Sequence, residues 1–174
     1  GSSAGLANTA TWSLESDQAN AYLGMVSRIG DVDSDGRADV LVGANAWDEG
    51  AVSDVGKIWL FRGTPSGLES TATWSRTFEQ AGGSLASFGS GDFNCDGLVD
   101  IFVGAQLWDN GALSNTGRVL VFPGQSSSPF VVDSPTTITT TTAGTQLGIA
   151  SSANVNGDSD GANGCDDLVV GAPE

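Results

Sequence analysis

Acidic side chains at alternating positions of short, glycine-containing loops are the groups in this sequence best suited to chemistry. In the first loop, residues 31–39, positions 1, 3, 5 and 9 are Asp31, Asp33, Asp35 and Asp39. Gly36 at position 6 permits a sharp turn, and Arg37 at position 7 offers its backbone carbonyl. Ca²⁺ takes about six to eight oxygen ligands. The spacing therefore predicts a calcium site.

Two further loops repeat this pattern. The second has one amide in place of a carboxylate and Leu98 at position 7, and its ligand positions are Asp92, Asn94, Asp96 and Asp100. The third contains an insertion and has two registers. In the first register, positions 1, 3 and 5 are Asn154, Asn156 and Asp158, and Asp167 closes the site. In the second register, the same positions are Asn156, Asp158 and Asp160. We favour the first, because Asp167 then precedes LVVGA as Asp39 precedes VLVGA.

Neither an EF-hand nor a metal-free turn fits these loops as well. An EF-hand needs a glutamate at position 12 and flanking helices, whereas that position is Val42 in the first loop and Val103 in the second. Carboxylates held close together repel one another unless a cation is present. Three copies in register therefore favour a bound ion, and the first loop, with four carboxylates, is expected to bind it at least as tightly as the second.

An internal repeat, present nearly three times, positions these loops. The string TATWS occurs at residues 9–13 and again at 71–75, and GDVDSDGRADVLVGA at 30–44 returns as GDFNCDGLVDIFVGA at 91–105. The first full copy contains four short apolar segments between Gly/Asp/Asn/Ser turns, at 23–29, 39–44, 57–61 and 71–78. Four strands per repeat are typical of a propeller blade, whereas solenoid repeats are shorter and carry fewer strands.

The repeat predicts an all-β chain, residues 1–174, made of four-stranded antiparallel β-propeller blades. We expect residues 1–22 to be the outer strand of a preceding blade, 23–82 and 83–143 to be two blades, and 144–174 to be the first two strands of a third. The apolar runs 40–42, 101–103 and 168–170 predict strands buried on both faces. Trp12 and Trp74 occupy matching places and are expected to pack blade against blade.

Composition excludes several functions. The chain has 21 acidic and 6 basic residues, a net charge of −15, which excludes a basic nucleic-acid-binding surface and disfavours anionic membranes. No apolar run is long enough to span a bilayer. The absence of histidine removes Ser-His-Asp and Cys-His catalysis. Cys95 and Cys165 could form a disulfide if the loops of adjacent blades meet, or remain two free thiols; both alternatives stay open.

The acidic loop followed by apolar residues and Gly-Ala resembles the FG-GAP repeat of integrin α-subunit heads and related bacterial secreted proteins. Residues 42–44, 103–105 and 170–173 are similar to its GAP half. The resemblance implies a seven-bladed propeller of which this chain holds nearly three repeats, with calcium loops on one face. It places loops 45–55 and 106–116, headed by Trp47 and Trp108, on the opposite, ligand-binding face. Each tryptophan could instead be tucked against its own blade.

These features predict an extracellular or cell-surface calcium-binding module that acts as an adhesion or protein-interaction platform and is not an enzyme. A glycan-binding lectin propeller and a purely structural module of a larger secreted protein are the alternatives. The expected partners are a protein or glycan ligand, and either further blades from a parent chain or other copies that close the ring. No nucleic acid and no membrane insertion are expected.

Overall fold

A computed structural model describes residues 8–153, 155 and 165–173, and these residues form strands, turns and loops without a helix. The strands are β1 (Leu23–Gly30), β2 (Asp39–Ala44), β3 (Lys57–Phe61), β4 (Gly63–Thr64), β5 (Gly67–Leu68), β6 (Trp74–Thr77), β7 (Leu85–Gly91), β8 (Asp100–Ala105), β9 (Arg118–Phe122), β10 (Thr136–Thr139), β11 (Ile149–Ala153) and β12 (Asp167–Gly171). Within these ranges, nothing helical is long and apolar enough to cross a membrane.

Two four-stranded antiparallel sheets form the body of the described chain. Their strand orders are β1-β2-β3-β6 and β7-β8-β9-β10, so each sheet follows the chain from its first strand to its outermost one. A two-stranded sheet, β11-β12, repeats the first half of this pattern, and β4-β5 is a small hairpin. The prediction of an all-β chain with four-stranded propeller blades is confirmed. We call the first sheet blade one and the second blade two.

The second strand of each blade lies at the centre of the core. In β2 and β8 the apolar run is buried almost throughout, and Leu41 and Ile101 have no exposed surface. The third run behaves differently: Val169 in β12 is 48% exposed. The expectation that 168–170 is buried on both faces is therefore wrong for the described chain, because β12 pairs with β11 alone.

Close backbone approach explains the glycine that ends each central run. A Cβ on Gly43 would lie 2.6 Å from Cε1 of Phe88 in the next blade, and one on Gly104 would collide with the carbonyl of Gly148. Ser87 Oγ also donates a hydrogen bond to that carbonyl oxygen, at 2.8 Å. The glycine that ends each of these two runs is thus required by the neighbouring sheet.

Tryptophans join the outer parts of adjacent sheets, as their matching sequence positions predict. Trp74 on β6 packs edge-on against Phe122 of blade two, with ring centroids 5.3 Å apart. Trp12 packs in the same way against Phe61 of blade one, at 5.1 Å. Residues 8–22 form no strand in the structure, yet they place Trp12 where a preceding blade's outer strand would place it.

Candidate metal centre

The loop between β1 and β2 gathers three carboxylates. One carboxylate oxygen from each of Asp31, Asp33 and Asp39 lies within 4.8 Å of the others. The loop is wound by hydrogen bonds to Asp31, which accepts the backbone N–H of Asp35 at 3.0 Å and of Gly36 at 2.7 Å. Gly36 has a φ of +85°, a left-handed conformation that glycine adopts without strain.

Asp39 anchors the loop to the rest of the blade. Its side chain is fully buried, and its two oxygens accept the backbone N–H groups of Val32 at 2.7 Å and Gly63 at 2.8 Å. Burial raises the pKa of Asp39 above its usual value, and the two N–H donors offset only part of that effect. The negative charges of Asp33 and Asp31 raise the pKa of Asp39 further.

The other carboxylates of loop one differ from Asp39 in their contacts, and Asp31 also differs in the direction of its pKa shift. Burial raises the pKa of Asp31, but hydrogen bonds from Gly36 and Asp35 outweigh it, so the net shift is downward. Asp35 stands outside the cluster of three, and its Oδ2 forms an ion pair with Arg37 Nη1 at 3.0 Å. Its Oδ1 accepts the backbone N–H of Arg37 at 2.8 Å. Of the four predicted carboxylate ligands, the structure therefore gathers three and pairs the fourth with Arg37.

An arginine that the spacing argument did not identify also reaches the cluster. Arg62, which follows β3, donates from Nη1 to Asp33 Oδ2 at 2.9 Å and from Nη2 to Glu69. The hydrogen bond to Glu69 raises the pKa of Arg62, and the same contact lowers the pKa of Glu69. The counterpart of this arginine in blade two is Pro123, as the strings GKIWLFRG and GRVLVFPG show. This difference between the two copies is the feature of the sequence that points to Arg62.

The loop between β7 and β8 repeats the hydrogen bonds of the first. Asp92 accepts the N–H groups of Asp96 at 3.1 Å and Gly97 at 2.8 Å. Asp100 is buried and accepts from Phe93 at 2.9 Å and Gly124 at 2.7 Å. Burial raises the pKa of Asp100, as burial does for Asp39 in the first loop.

The remaining predicted ligands of this second loop contact each other. Asn94 Nδ2 donates to Asp96 Oδ2 at 2.9 Å, and Asp96 Oδ1 accepts the N–H of Leu98 at 2.8 Å. The amide thus links two ligand positions with a hydrogen bond that a second carboxylate could not donate.

The third loop is described in part. Its predicted residues Asn154, Asn156 and Asp158, and Asp160 of the alternative register, lie outside the described residues. Asp167 is described, and its Oδ2 accepts the N–H of Val155 at 3.0 Å. This bond has the same form as those from Val32 to Asp39 and from Phe93 to Asp100.

A disulfide joins the second and third loops. Cys95 and Cys165 are bonded, with Cα atoms 5.0 Å apart, which decides between the two alternatives that the sequence left open. Next to it, Asp166 Oδ2 accepts the N–H of Asp92 at 3.0 Å, and the N–H of Asp166 donates to the carbonyl of Asp92 at 2.9 Å. Asp92, the first ligand position of loop two, is thus joined to loop three by two hydrogen bonds with Asp166, in addition to the disulfide at Cys95.

The two candidate ligand-face tryptophans each lie beneath a cation of their own blade. Lys57 Nζ lies 4.4 Å from the ring of Trp47, and the Arg118 guanidinium lies 4.7 Å from that of Trp108. Burial lowers the pKa of Arg118. Both rings are half-buried, in agreement with the alternative that they are tucked against their blades.

The sheets and their acidic loops define the class: an all-β module of four-stranded blades, each with a carboxylate loop between its first two strands. Residues 31–103 match the family of the FG-GAP-like repeat. The chain is 34% identical to mouse (Mus musculus) integrin alpha-IIb and 35% identical to the Homo sapiens protein, over 91% of its own length. It is 30% identical to Homo sapiens phosphatidylinositol-glycan-specific phospholipase D, over 88%.

The chain spans a small part of these relatives: 16% and 15% of the two integrin subunits and 19% of the phospholipase. It carries FG-GAP-like repeats, similar to those of integrin α subunits, and is a repeat module.

Proposed function

We propose that this chain is an extracellular calcium-binding β-propeller module that serves as a protein-interaction platform. The observation that carries the proposal is the cluster of Asp31, Asp33 and Asp39, whose carboxylate oxygens lie within 4.8 Å of one another. Such a cluster is repulsive in the absence of a cation. Two backbone N–H groups nevertheless hold the buried Asp39 in this cluster, and two N–H groups hold Asp100 in the same way in blade two.

The donor set fits Ca²⁺. Hard carboxylate, amide and carbonyl oxygens are the ligands of calcium, whereas softer metals prefer imidazole or thiolate. In loop one the ion would be held by Asp31, Asp33, Asp35, Asp39 and the carbonyl of Arg37. In loop two it would be held by Asp92, Asn94, Asp96, Asp100 and the carbonyl of Leu98. When bound, the ion would neutralise the carboxylates and hold the first two strands of a blade together.

For loop three we propose Asn154, Asn156, Asp158 and Asp167 as ligands. Support comes from the hydrogen bond between Val155 and Asp167, because in the other two loops this bond joins positions 2 and 9. Val155 at position 2 makes Asn154 position 1, which is the first of the two registers.

Two features favour an extracellular location. Disulfides persist in oxidising compartments, and the Cys95–Cys165 bond joins two of the proposed calcium loops. Sites in extracellular modules bind calcium with dissociation constants of about 10⁻⁴–10⁻³ M, so they fill only where calcium is abundant.

An interaction role is favoured by the similarity to integrin alpha-IIb over 91% of this chain. A catalytic role is not proposed, because the chain has no histidine and its loop carboxylates are engaged in hydrogen bonds and ion pairs. The phospholipase aligns over 19% of its own length, so its activity is not carried over to this chain. Glycan binding is the second candidate function, because Trp47 and Trp108 are only half-buried and part of each ring is exposed.

Calcium titration tests the metal proposal. Calcium at about 100 times its dissociation constant should add roughly 2.7 kcal/mol of stability per site and raise the melting temperature. D33N should weaken binding at loop one, while D54N, a change to an exposed loop aspartate, should leave it unaltered. A melting temperature that is the same in calcium and in EDTA would contradict the proposal.

The ligand class needs a separate assay. A glycan array probed with and without chelator identifies a lectin, and pull-down from the extracellular medium of the source identifies protein partners. A purely structural module would bind in neither assay.

A further inference from the structure

Asp166, next to the disulfide, brings a carboxylate from loop three to the first ligand position of loop two. Its Oδ2 accepts the N–H of Asp92 at 3.0 Å, and its own N–H donates to the carbonyl of Asp92 at 2.9 Å. Gly91 makes this approach possible, because a Cβ at that position would lie 2.9 Å from Cβ of Asp166. The carboxylate of Asp166 therefore lies beside a calcium loop to which it does not belong in the sequence.

The corresponding interface between loops one and two has no such carboxylate. The residue before the closing aspartate is Asp166 in loop three and Val99 in loop two. Val99 takes the matching place, since its Cγ2 would lie 3.7 Å from a Cβ on Gly30, the counterpart of Gly91. A hydrocarbon side chain neither accepts a hydrogen bond nor carries a charge. The two interfaces therefore differ in the group that lies beside position 1 of a calcium loop.

Loop one has more carboxylates of its own, but two arginines neutralise part of their charge. Arg62 Nη1 pairs with Asp33 at 2.9 Å, and Arg37 Nη1 pairs with Asp35 at 3.0 Å. Arg62 shares its charge with Glu69, so it neutralises Asp33 only in part. A calcium ion that enters loop one therefore competes with cations that the chain itself supplies.

The carboxylates of loop two have no such competitor. Loop two has acidic residues at positions 1, 5 and 9, and Asp166 adds one more carboxylate. Among the described residues, none of the chain's 6 basic side chains forms an ion pair with these groups. Leu98 stands where loop one has Arg37, and Pro123 is the counterpart of Arg62. The charge around loop two is therefore available to attract a divalent cation.

The disulfide holds the added carboxylate beside loop two. Cys165 precedes Asp166 in the sequence and is bonded to Cys95 inside loop two. Asp166 is thus fixed by a covalent bond at its neighbour and by two hydrogen bonds with Asp92. Groups that are in place before a ligand arrives lose less conformational freedom when it binds. This preorganisation acts in the same direction as the charge.

We propose that Asp166 is a positioning residue for the calcium site of loop two, and that loop two consequently binds calcium more tightly than loop one. By accepting the N–H of Asp92, Asp166 fixes the backbone at position 1, and its charge adds to the attraction of the ion. This order of affinity is the opposite of the one that the number of carboxylates within each loop predicts. The inference rests on the proposed calcium function.

Calcium titration followed by two-dimensional nuclear magnetic resonance tests the order of the two sites. The amides of Gly36 and Gly97, at position 6 of each loop, report loops one and two separately. In the parent chain the Gly97 midpoint should lie at a calcium concentration at least about threefold below the Gly36 midpoint.

Substitutions of Asp166 test its role. D166N keeps an oxygen acceptor but removes the charge, and it should raise the Gly97 midpoint about three- to tenfold while the Gly36 midpoint stays in place. D166V introduces the residue type found at the first interface and removes the acceptor as well, so it should raise the Gly97 midpoint further. D54N removes the same charge from an exposed position in another loop and should leave both midpoints within about twofold.

Two further readouts separate this role from a general contribution to stability. In EDTA, D166N should melt at or above the temperature of the parent chain, because it removes one of several like charges. The ratio of the D166N and parent Gly97 midpoints should fall towards one as ionic strength rises from about 0.01 to 1 M, because salt screens the charge of Asp166.

An unchanged Gly97 midpoint in D166N, or a parent Gly97 midpoint above that of Gly36, overturns the inference. The calcium proposal stands in both cases, because both amides respond to calcium. If neither amide responds up to about 10 mM calcium, ten times the weakest dissociation constant expected for an extracellular module, the calcium proposal itself fails. A lower melting temperature of D166N in EDTA with an unchanged Gly97 midpoint would make Asp166 a structural residue only.

Discussion

Arg62 is expected to weaken calcium binding at loop one, and replacing it should strengthen that binding. The guanidinium neutralises Asp33, one of the three clustered carboxylates, from 2.9 Å, and blade two has Pro123 instead. An ion must therefore share Asp33 with Arg62 or displace it. The substitution R62M removes the charge and keeps most of the side-chain length.

The size of the effect follows from the ion pair. Two unit charges 2.9 Å apart interact by about 1.4 kcal/mol in water. Screening and side-chain entropy reduce such partly exposed pairs to about 1 kcal/mol. R62M should thus lower the calcium dissociation constant of loop one about fivefold. In EDTA the same variant should be less stable by about 1–2 kcal/mol, because the pairs with Asp33 and with Glu69 are both lost.

Site-resolved titration provides the assay. The amides of Gly36 and Gly97, at position 6 of loops one and two, report each site separately in a two-dimensional spectrum. R62M should move the Gly36 midpoint and leave the Gly97 midpoint in place. R76M, the same change at an arginine that pairs with Asp133, should move neither. An unchanged or weaker Gly36 midpoint in R62M would refute the reasoning.

Three further outcomes are expected. The double substitution of Cys95 and Cys165 by serine should weaken calcium binding at loop two but not loop one, and should destabilise the fold by about 2–4 kcal/mol, measured by urea unfolding. G43A should cost about 1–3 kcal/mol in the same assay, because the new methyl group meets the ring of Phe88. Arg62 lowers the pKa of Glu69, so Glu69 contributes stability that is present above its unfolded pKa of about 4.3 and is lost as pH falls through the lower folded value. In EDTA, E69Q should therefore lose less stability than the parent chain between about pH 7 and pH 3; an equal loss would contradict the assignment.

Much of the fold follows from the repeat. The apolar runs, the Asp-rich loops and the glycine that ends each run are copied from unit to unit, and a copied pattern predicts a copied structure. The four-stranded antiparallel sheets, the central position of β2 and β8 and the loops between first and second strands all agree with that reasoning. Val169 departs from it, because burial depends on what packs against a strand as well as on its composition.

The candidate site was predictable in outline only. Asp31, Asp33 and Asp39 meet because their spacing within one short loop brings them together. Asp35 was expected among them, yet it forms an ion pair with the neighbouring Arg37. The spacing of the acidic residues does not show whether Asp35 contacts the other carboxylates or Arg37. The anchoring of Asp39 by Gly63 depends on the sheet, which brings the end of β3 beside the loop.

The amino-acid sequence by itself determined the features that recur from one unit to the next. These are the four β-strands of a blade, the acidic side chains of the loops, and the glycines at which a neighbouring sheet approaches the backbone. The tertiary structure decided the features in which one copy differs from another. Arg62 contacts a residue 29 positions away, Cys95 bonds one 70 positions away, and Arg76 reaches Asp133 across a blade interface, 57 positions along the chain. Periodicity carries no information about such single, distant pairs, because they depend on how the sheets stack and on which side chains that stacking brings together.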